Sequence, residues 1–84
     1  MQVVEIREPV KVRADFQGGA ITPLAFRRAG RAHRIARLNA RWEDREGREK
    51  RLYFSVTDEA GDVYQLCLRA ADMVWVLETV VVPG

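Results

Sequence analysis

Arginine side chains dominate the one stretch of this sequence whose residue types point to binding chemistry. Six arginines and no acidic residue lie between residues 27 and 41; they are Arg27, Arg28, Arg31, Arg34, Arg37 and Arg41. An unpaired guanidinium group is costly to bury, so at this density the side chains must face water or meet an anion. Arginine also suits bidentate contact with phosphate, which makes nucleic acid the partner to expect.

The net charge of +2 conceals an uneven distribution along the chain. Residues 27–51 hold ten Lys or Arg and four acids, whereas the rest of the chain holds four bases and eight acids. A basic middle within an acidic frame steers anionic partners toward it. Twelve of the fourteen bases are Arg, a bias that a GC-rich genome would also produce without any function.

The remaining reactive residue types predict structural roles. His33 is the only histidine, and a general base needs a nucleophile and an orienting partner, so we expect a packed, half-buried strand residue. Cys67 is the only cysteine, which excludes an intrachain disulfide and a thiolate zinc cluster and predicts a small buried side chain. Asp58, Glu59 and Asp62 fit a turn better than a metal site. We therefore expect no catalytic residue, no metal, no cofactor and a non-enzymatic protein.

Alternation of apolar and polar residues predicts strands in several segments. It is seen at residues 10–16, 52–57 and 63–69, and a strand follows Pro23. The turn residues 58–61 join the second and third of these segments into the most secure hairpin. The sequence therefore predicts an all-β fold, a single β domain over residues 1–84. Its six or seven antiparallel strands would form a meander, as a small barrel or a strongly bent sheet.

Residues 31–45 allow two interpretations. With period 3.6, Ile35, Leu38 and Trp42 form a helical stripe. With period 2, His33 and Ile35 face inward, a bulge near Ala36-Arg37 resets the phase, and Leu38, Ala40 and Trp42 face inward after it. We favour the strand, because Gly30 follows one strand and tight hairpins join neighbouring strands. The charged run 43–50 then predicts a loop.

On the strand interpretation, one basic stripe faces outward. It comprises Arg28, Arg34, Arg37 and Arg41, and we predict that these side chains contact nucleic-acid phosphates. Tyr53 lies on the face opposite Leu52 and Phe54, where an exposed ring would stack on a base beside those contacts. The alternative is that Tyr53 packs as a cross-strand partner on a partly covered face.

The last predicted strand, residues 73–82, is apolar on both sides. Such a strand is either covered on both faces or used at an interface. We predict a homodimer or another protein partner docked on the side that carries Val74, Val76, Val80 and Val82. The alternative is that residues 3–7 and 10–16 fold over and cover this side within the monomer.

Several segments together resemble a family of short, uncharacterised bacterial domains. They are AFRRAGRAHRI, Trp42, RLYFSV, GDVYQLCL and VWVLETV, which span about Pro23 to Val80. His33 departs from the family pattern by replacing an aromatic residue, and Arg28 stands where Trp or Arg is found. Some members of this family accompany error-prone translesion DNA polymerases, so the resemblance implies a role near DNA. It supplies no catalytic residues.

The sequence predicts no membrane partner. It has no apolar run approaching the roughly 18–20 residues of a membrane span, and MQVVEIREPV lacks the charged-then-apolar pattern of a signal peptide. We therefore expect a cytoplasmic protein.

Overall fold

Seven antiparallel β-strands make up the protein. The computed structural model describes residues 1–82, so Pro83 and Gly84, which we expected to end the last strand, lie outside the described residues. The strands are β1 (Gln2–Pro9), β2 (Lys11–Gln17), β3 (Ala20–Arg28), β4 (Arg31–Glu46), β5 (Glu49–Asp58), β6 (Val63–Arg69) and β7 (Val74–Val82). The all-β prediction is confirmed. No helix able to cross a membrane is present in residues 1–82.

The strands form one meander sheet in the order β1-β7-β6-β5-β4-β3-β2. Its two edge strands, β1 and β2, follow each other in the chain with Val10 alone between them, and the Val10 N–H donates to the Trp75 carbonyl at 3.0 Å. No ladder joins β1 to β2, so the sheet is not closed into a barrel. Of the forms predicted for the meander, the strongly bent sheet is therefore the one observed.

Bending brings distant strands together around the core. The rings of Phe26 in β3 and Tyr64 in β6 lie 4.9 Å apart between centroids, although β4 and β5 separate these strands. In a flat sheet, three strand spacings would hold them about 14 Å apart. The inner face of the bend carries the core, which comprises Phe26, Phe54, Val56, Tyr64, Leu66, Leu68 and Leu77. Full burial of a side chain such as Leu66 contributes about 1.5–3 kcal/mol to the free energy of folding.

The turn between β5 and β6 is organised by Asp58. The Gly61 N–H donates to the Asp58 carbonyl, and the Asp58 carboxylate accepts bonds from the N–H groups of Ala60 and Asp62 at 3.1 and 2.9 Å. An aspartate that binds the backbone ahead of it is a common turn device. The predicted turn is confirmed, and Asp58 has the turn-forming role that the sequence predicted for the acids of this segment.

β4 is a strand with two bulges, one predicted and one not. The pairing with β5 shifts between Ile35 and Arg37, where we predicted a bulge, and again between Leu38 and Ala40. Leu38 faces the core as expected, but the second shift reverses the faces, so Trp42 pairs with Tyr53 on the outer face and is 43% exposed. The inward placement predicted for Ala40 and Trp42 is therefore wrong.

The charged run 43–50 is also ordered differently from the prediction. β4 continues to Glu46 and β5 begins at Glu49, so only residues 47 and 48 form the turn. The loop that we predicted there is a hairpin end.

β7 lies inside the sheet, paired with β1 on one side and β6 on the other. A register shift at Glu78 places Trp75, Leu77 and Val80 on the inner face, with Val74 and Val76 on the outer face. Val82 shares the face of Val80, so the predicted interface set Val74, Val76, Val80 and Val82 is split between two faces. β1 covers the edge of β7 rather than its face, and no free edge remains along residues 74–82.

Candidate nucleic-acid interface

A cluster of basic side chains lies on the outer face of β2, β3 and β4. Cross-strand pairing places Lys11 beside Arg27, and it places Arg13 and Arg34 on either side of Ala25. Arg37 is the next outward residue along β4 after the first bulge. We call this cluster the basic patch; its members are Lys11, Arg13, Arg27, Arg34 and Arg37. All five residues are exposed.

The basic patch carries positive charge without compensation. Its first four members line one surface groove together with Val12, Ala25, Phe26 and Ala32, and no acidic residue lines that groove. Within residues 1–82 no member of the patch forms an ion pair. Like charges directly opposite each other, as at Lys11 and Arg27, destabilise a sheet. The arrangement therefore costs the fold some stability, and an anion would relieve that cost.

Of the five residues that we predicted to bind nucleic acid, the basic patch contains Arg34 and Arg37. Arg28 pairs with Arg31 at the end of the β3–β4 hairpin, on the same face as Phe26, and its Nε lies 3.4 Å from Glu8 Oε2. Arg41 lies opposite Phe54 after the second bulge, and its Nη2 donates to Thr22 Oγ1 at 3.3 Å. The single outward stripe that we predicted is therefore wrong.

Sequence reasoning missed Lys11, Arg13 and Arg27 as members of the patch. The alternation of residues 10–16 already places Lys11 and Arg13 on the solvent side of β2. The missing step was the pairing of β2 with β3 across the Gly18-Gly19 turn, which brings them beside Arg27 and Arg34. Both glycines have positive φ, 59° and 78°, which suits a two-residue hairpin turn.

Tyr53, the fifth predicted residue, lies on the outer face of β5 as part of an aromatic pair. Its ring stacks on Trp42 with centroids 5.5 Å apart and planes 10° from parallel. Tyr53 is thus half-buried as a cross-strand partner, while Trp42 is exposed. Burial raises the pKa of Tyr53 above its ordinary value, so the phenol is neutral near pH 7.

Polar residues connect the basic patch to the aromatic pair. Asn39, the extra residue of the second bulge, donates from Nδ2 to Thr57 Oγ1 at 2.9 Å and to Ser55 Oγ at 3.5 Å. These side chains are uncharged and lie on the outer face between Arg37 and the Trp42–Tyr53 pair. A continuous surface therefore runs from cations through neutral hydrogen-bonding groups to exposed aromatic carbon.

A second arginine cluster lies on the outer face of β5 and β6, where Arg51 pairs with Arg69 across the strands. Arg51 Nη2 lies 3.2 Å from Glu46 Oε2 and 3.3 Å from Glu49 Oε2, and Arg69 Nη2 lies 3.1 Å from Asp72 Oδ2. We call this region the paired groove. Its arginines hold carboxylates, so it offers little free charge to a ligand.

Cys67 lies in the floor of the paired groove. It is buried, as predicted, and burial raises the pKa of its thiol above the ordinary value. The neutral thiol is a poor nucleophile. Cys67 therefore behaves as the small apolar side chain that the sequence predicted.

His33 and Asp58 form a packed pair. His33 Nδ1 lies 3.3 Å from Asp58 Oδ2, and its ring stacks on Phe26 at 4.8 Å with only 19% of the side chain exposed. The other Asp58 oxygen already accepts the two N–H bonds of the turn. The pair thus ties β4 to the β5–β6 turn, which agrees with the half-buried position predicted for His33.

Residues 1–82 contain no group of three or more His, Cys, Asp or Glu side chains placed to hold a metal ion.

Comparison of the chain with protein-family models, with curated proteins and with solved structures finds no match in any of the three.

Proposed function

We propose that this chain binds nucleic acid through contacts between the basic patch and backbone phosphates. The observation that carries the proposal is the convergence of the five cations of the basic patch on one face. No acid lines the groove that four of them form, and none of the five is ion-paired within residues 1–82. The resemblance to a family with members that accompany DNA polymerases points the same way. Binding is the whole function proposed, with no reaction step and no cofactor.

The dimensions of the patch suit a phosphate backbone. Three neighbouring strands span about 10 Å, so the five cations can follow several successive phosphates. Neutralising five phosphates would give a slope of log affinity against log salt of about −3.5 on a single strand or −4.5 on duplex DNA. We place this function in the cytoplasm, where a lone thiol such as Cys67 stays reduced.

Charge reversal tests the proposal. We expect Arg34→Glu with Arg37→Glu to weaken binding for all sequences alike and to reduce the magnitude of the salt slope by about 1.4–1.8, since two phosphate contacts are lost. Electrophoretic shift and fluorescence anisotropy at several salt concentrations measure both effects.

The matched control is Arg45→Glu with Arg48→Glu, which changes the net charge equally at exposed positions on the β4–β5 hairpin end. This variant should keep most of the wild-type affinity. Equal losses in the two variants would show that net charge alone governs binding and would contradict a local site.

Self-association is the second candidate function. The observation that favours it is the unpaired outer edge of β1, where Val3 is 63% exposed and the neighbouring Val4 is also exposed. An exposed apolar edge tends to pair with a copy of itself. Light scattering after size exclusion should then give about twice the chain mass of 9.6 kDa, and Val3→Lys should return the protein to a monomer. A monomer of the wild type at high concentration would exclude this candidate.

A further inference from the structure

We infer that the ligand of the basic patch is single-stranded nucleic acid, and that the Trp42–Tyr53 pair is the platform on which its bases stack. This inference rests on the proposed function and adds a substrate class to it. Its starting point is the second bulge of β4, which turns Trp42 from the core to the outer face. Trp42 is stacked on a second ring and remains 43% exposed, so indole surface is accessible from solvent beside the basic patch.

The spacing between cations and rings suits an extended strand. Trp42 lies five residues beyond Arg37 on the same strand, but the second bulge makes this stretch span only the four residues from Thr57 to Tyr53 on β5, a distance of about 13 Å. A groove of positive charge followed by stacking rings is the arrangement that binds single strands without sequence preference. The intervening Asn39, Ser55 and Thr57 are neutral, so they neither repel phosphate nor compete with it for the arginines.

Duplex nucleic acid would leave the aromatic platform unused. Bases in a duplex are already stacked and paired, so a surface ring reaches one only after the base has been flipped out at a cost of a few kcal/mol. Single-stranded bases expose their faces, and each base stacked on an aromatic side chain strengthens binding by about 5- to 150-fold. The platform therefore discriminates in favour of the single strand, whether DNA or RNA.

Abasic strands separate the stacking inference from the proposed phosphate contacts. We would measure the affinity of the chain for a 12-residue thymidine strand, for the uridine strand of the same length, for a duplex, and for an abasic strand with the same number of phosphates. Wild type should prefer the thymidine or uridine strand to the abasic strand by at least about 5-fold, and Trp42→Ala should bring this ratio close to one. The abasic affinity should remain unchanged in Trp42→Ala.

Two further variants serve as controls. Trp42→Phe keeps a ring and should retain part of the preference, whereas Phe16→Ala removes a different exposed aromatic, 60% accessible on β2, and should leave the ratio unchanged. Tryptophan fluorescence tests the stacking without a mutation at the aromatic pair. In Trp75→Phe, Trp42 is the single tryptophan left. The thymidine strand should quench the fluorescence of Trp42 and protect it from quenching by acrylamide, and the abasic strand should do neither.

The possible outcomes distinguish base stacking on the Trp42–Tyr53 pair from phosphate binding by the basic patch. Salt-dependent binding of every strand with no preference for bases in wild type would overturn the stacking inference and leave the phosphate contacts standing. Equal losses on base-containing and abasic strands in Trp42→Ala would assign Trp42 a structural role and also overturn the inference. Tighter binding of duplex than of the single strand would overturn it as well. Failure of all strands to bind, with no effect of charge reversal, would reject the proposed function itself.

Discussion

Two arginine clusters lie on the outer face of the same bent sheet, and only one of them has its charge neutralised. In the paired groove, Arg51 and Arg69 each lie 3.1–3.3 Å from carboxylates. In the basic patch, five cations stand together and none is ion-paired within the described part of the chain. Both clusters sit on antiparallel strands, and register shifts adjoin Arg13 and Arg37 in the basic patch but not Arg51 and Arg69. What separates the charge of the two clusters is the set of acidic neighbours.

The neighbours differ for reasons that can be traced along the chain. The β4–β5 hairpin end supplies Glu46 and Glu49 to Arg51, and the turn after β6 supplies Asp72 to Arg69. In the basic patch, the cross-strand positions that could hold an acid are filled by Ala25 and Ala32. The number of arginines in a segment therefore does not locate a binding site. What separates the two clusters is whether a carboxylate lies within ion-pair distance, on the same strand, across the hairpin or in the following turn.

Ala32→Glu should make the basic patch resemble the paired groove. Ala32 is exposed and pairs with Arg27, so the new carboxylate would form a cross-strand ion pair worth about 0.2–1 kcal/mol in unfolding free energy. The same change should weaken nucleic-acid binding roughly tenfold and reduce the salt slope by about one. Denaturant unfolding and anisotropy titrations measure the two effects, with Ala32→Gln as the uncharged control. If Ala32→Glu stabilises the fold but keeps full affinity, the unpaired charge of the basic patch does not contribute to nucleic-acid binding.

Glu46→Gln with Glu49→Gln should make the paired groove resemble the basic patch, with a smaller effect. Arg51 would lose both carboxylate partners, at a cost of roughly 0.2–1 kcal/mol in stability for each exposed pair. The freed guanidinium of Arg51 lies on the same face of β5 as Tyr53, two residues away, and so next to the aromatic pair. It could then contact one more phosphate, and the magnitude of the salt slope should rise by up to about one. Glu59→Gln, an exposed acid without an ion pair in residues 1–82, is the control. A salt slope unchanged from wild type would mean that freeing an arginine is not sufficient to create a phosphate contact.

Much of the fold could be predicted from local pattern, because neighbouring strands in a meander pair in sequence order. The hairpin 52–57 with 63–69, its Asp58 turn and the first bulge of β4 all follow from alternation and turn chemistry. The second bulge at Asn39 and the shift at Glu78 did not follow. A bulge moves every later side chain to the other face, and its stabilising contacts exist only once the strands are paired. The bonds from Asn39 to Ser55 and Thr57 are an example.

The second bulge explains part of the outcome for the predicted site residues. Arg28 was misplaced for another reason, because the two-residue turn between β3 and β4 puts Arg28 and Arg34 on opposite faces. Arg34 and Arg37 precede Asn39. The outward position of Arg34 was predicted from the alternation before the first bulge, and that of Arg37 from the bulge itself. Arg41 and Trp42 follow Asn39 and were each placed on the wrong face. Lys11, Arg13 and Arg27 required the pairing of β2 with β3, which brings together cations that are distant in sequence. Their common feature, the absence of an ion pair within residues 1–82, is a property of the folded surface only.

The last and smallest expected effect is on stability at alkaline pH, where ionisation of Cys67 would place a new negative charge in the paired groove. Burial raises the pKa of the Cys67 thiol, so the native state holds its proton where the unfolded chain, with an ordinary thiol pKa of about 8.5, has begun to lose it. The native state then binds more protons than the unfolded state, and the free energy of unfolding must fall as pH rises above about 8.5 toward the raised value. Cys67→Ala should flatten this fall between about pH 8 and 10, leaving the remaining decline to the raised pKa values of Tyr53 and Tyr64. Urea unfolding across this range measures both proteins. Identical slopes would show that ionising the thiol costs the same in the paired groove as in water, and would contradict the raised pKa of Cys67.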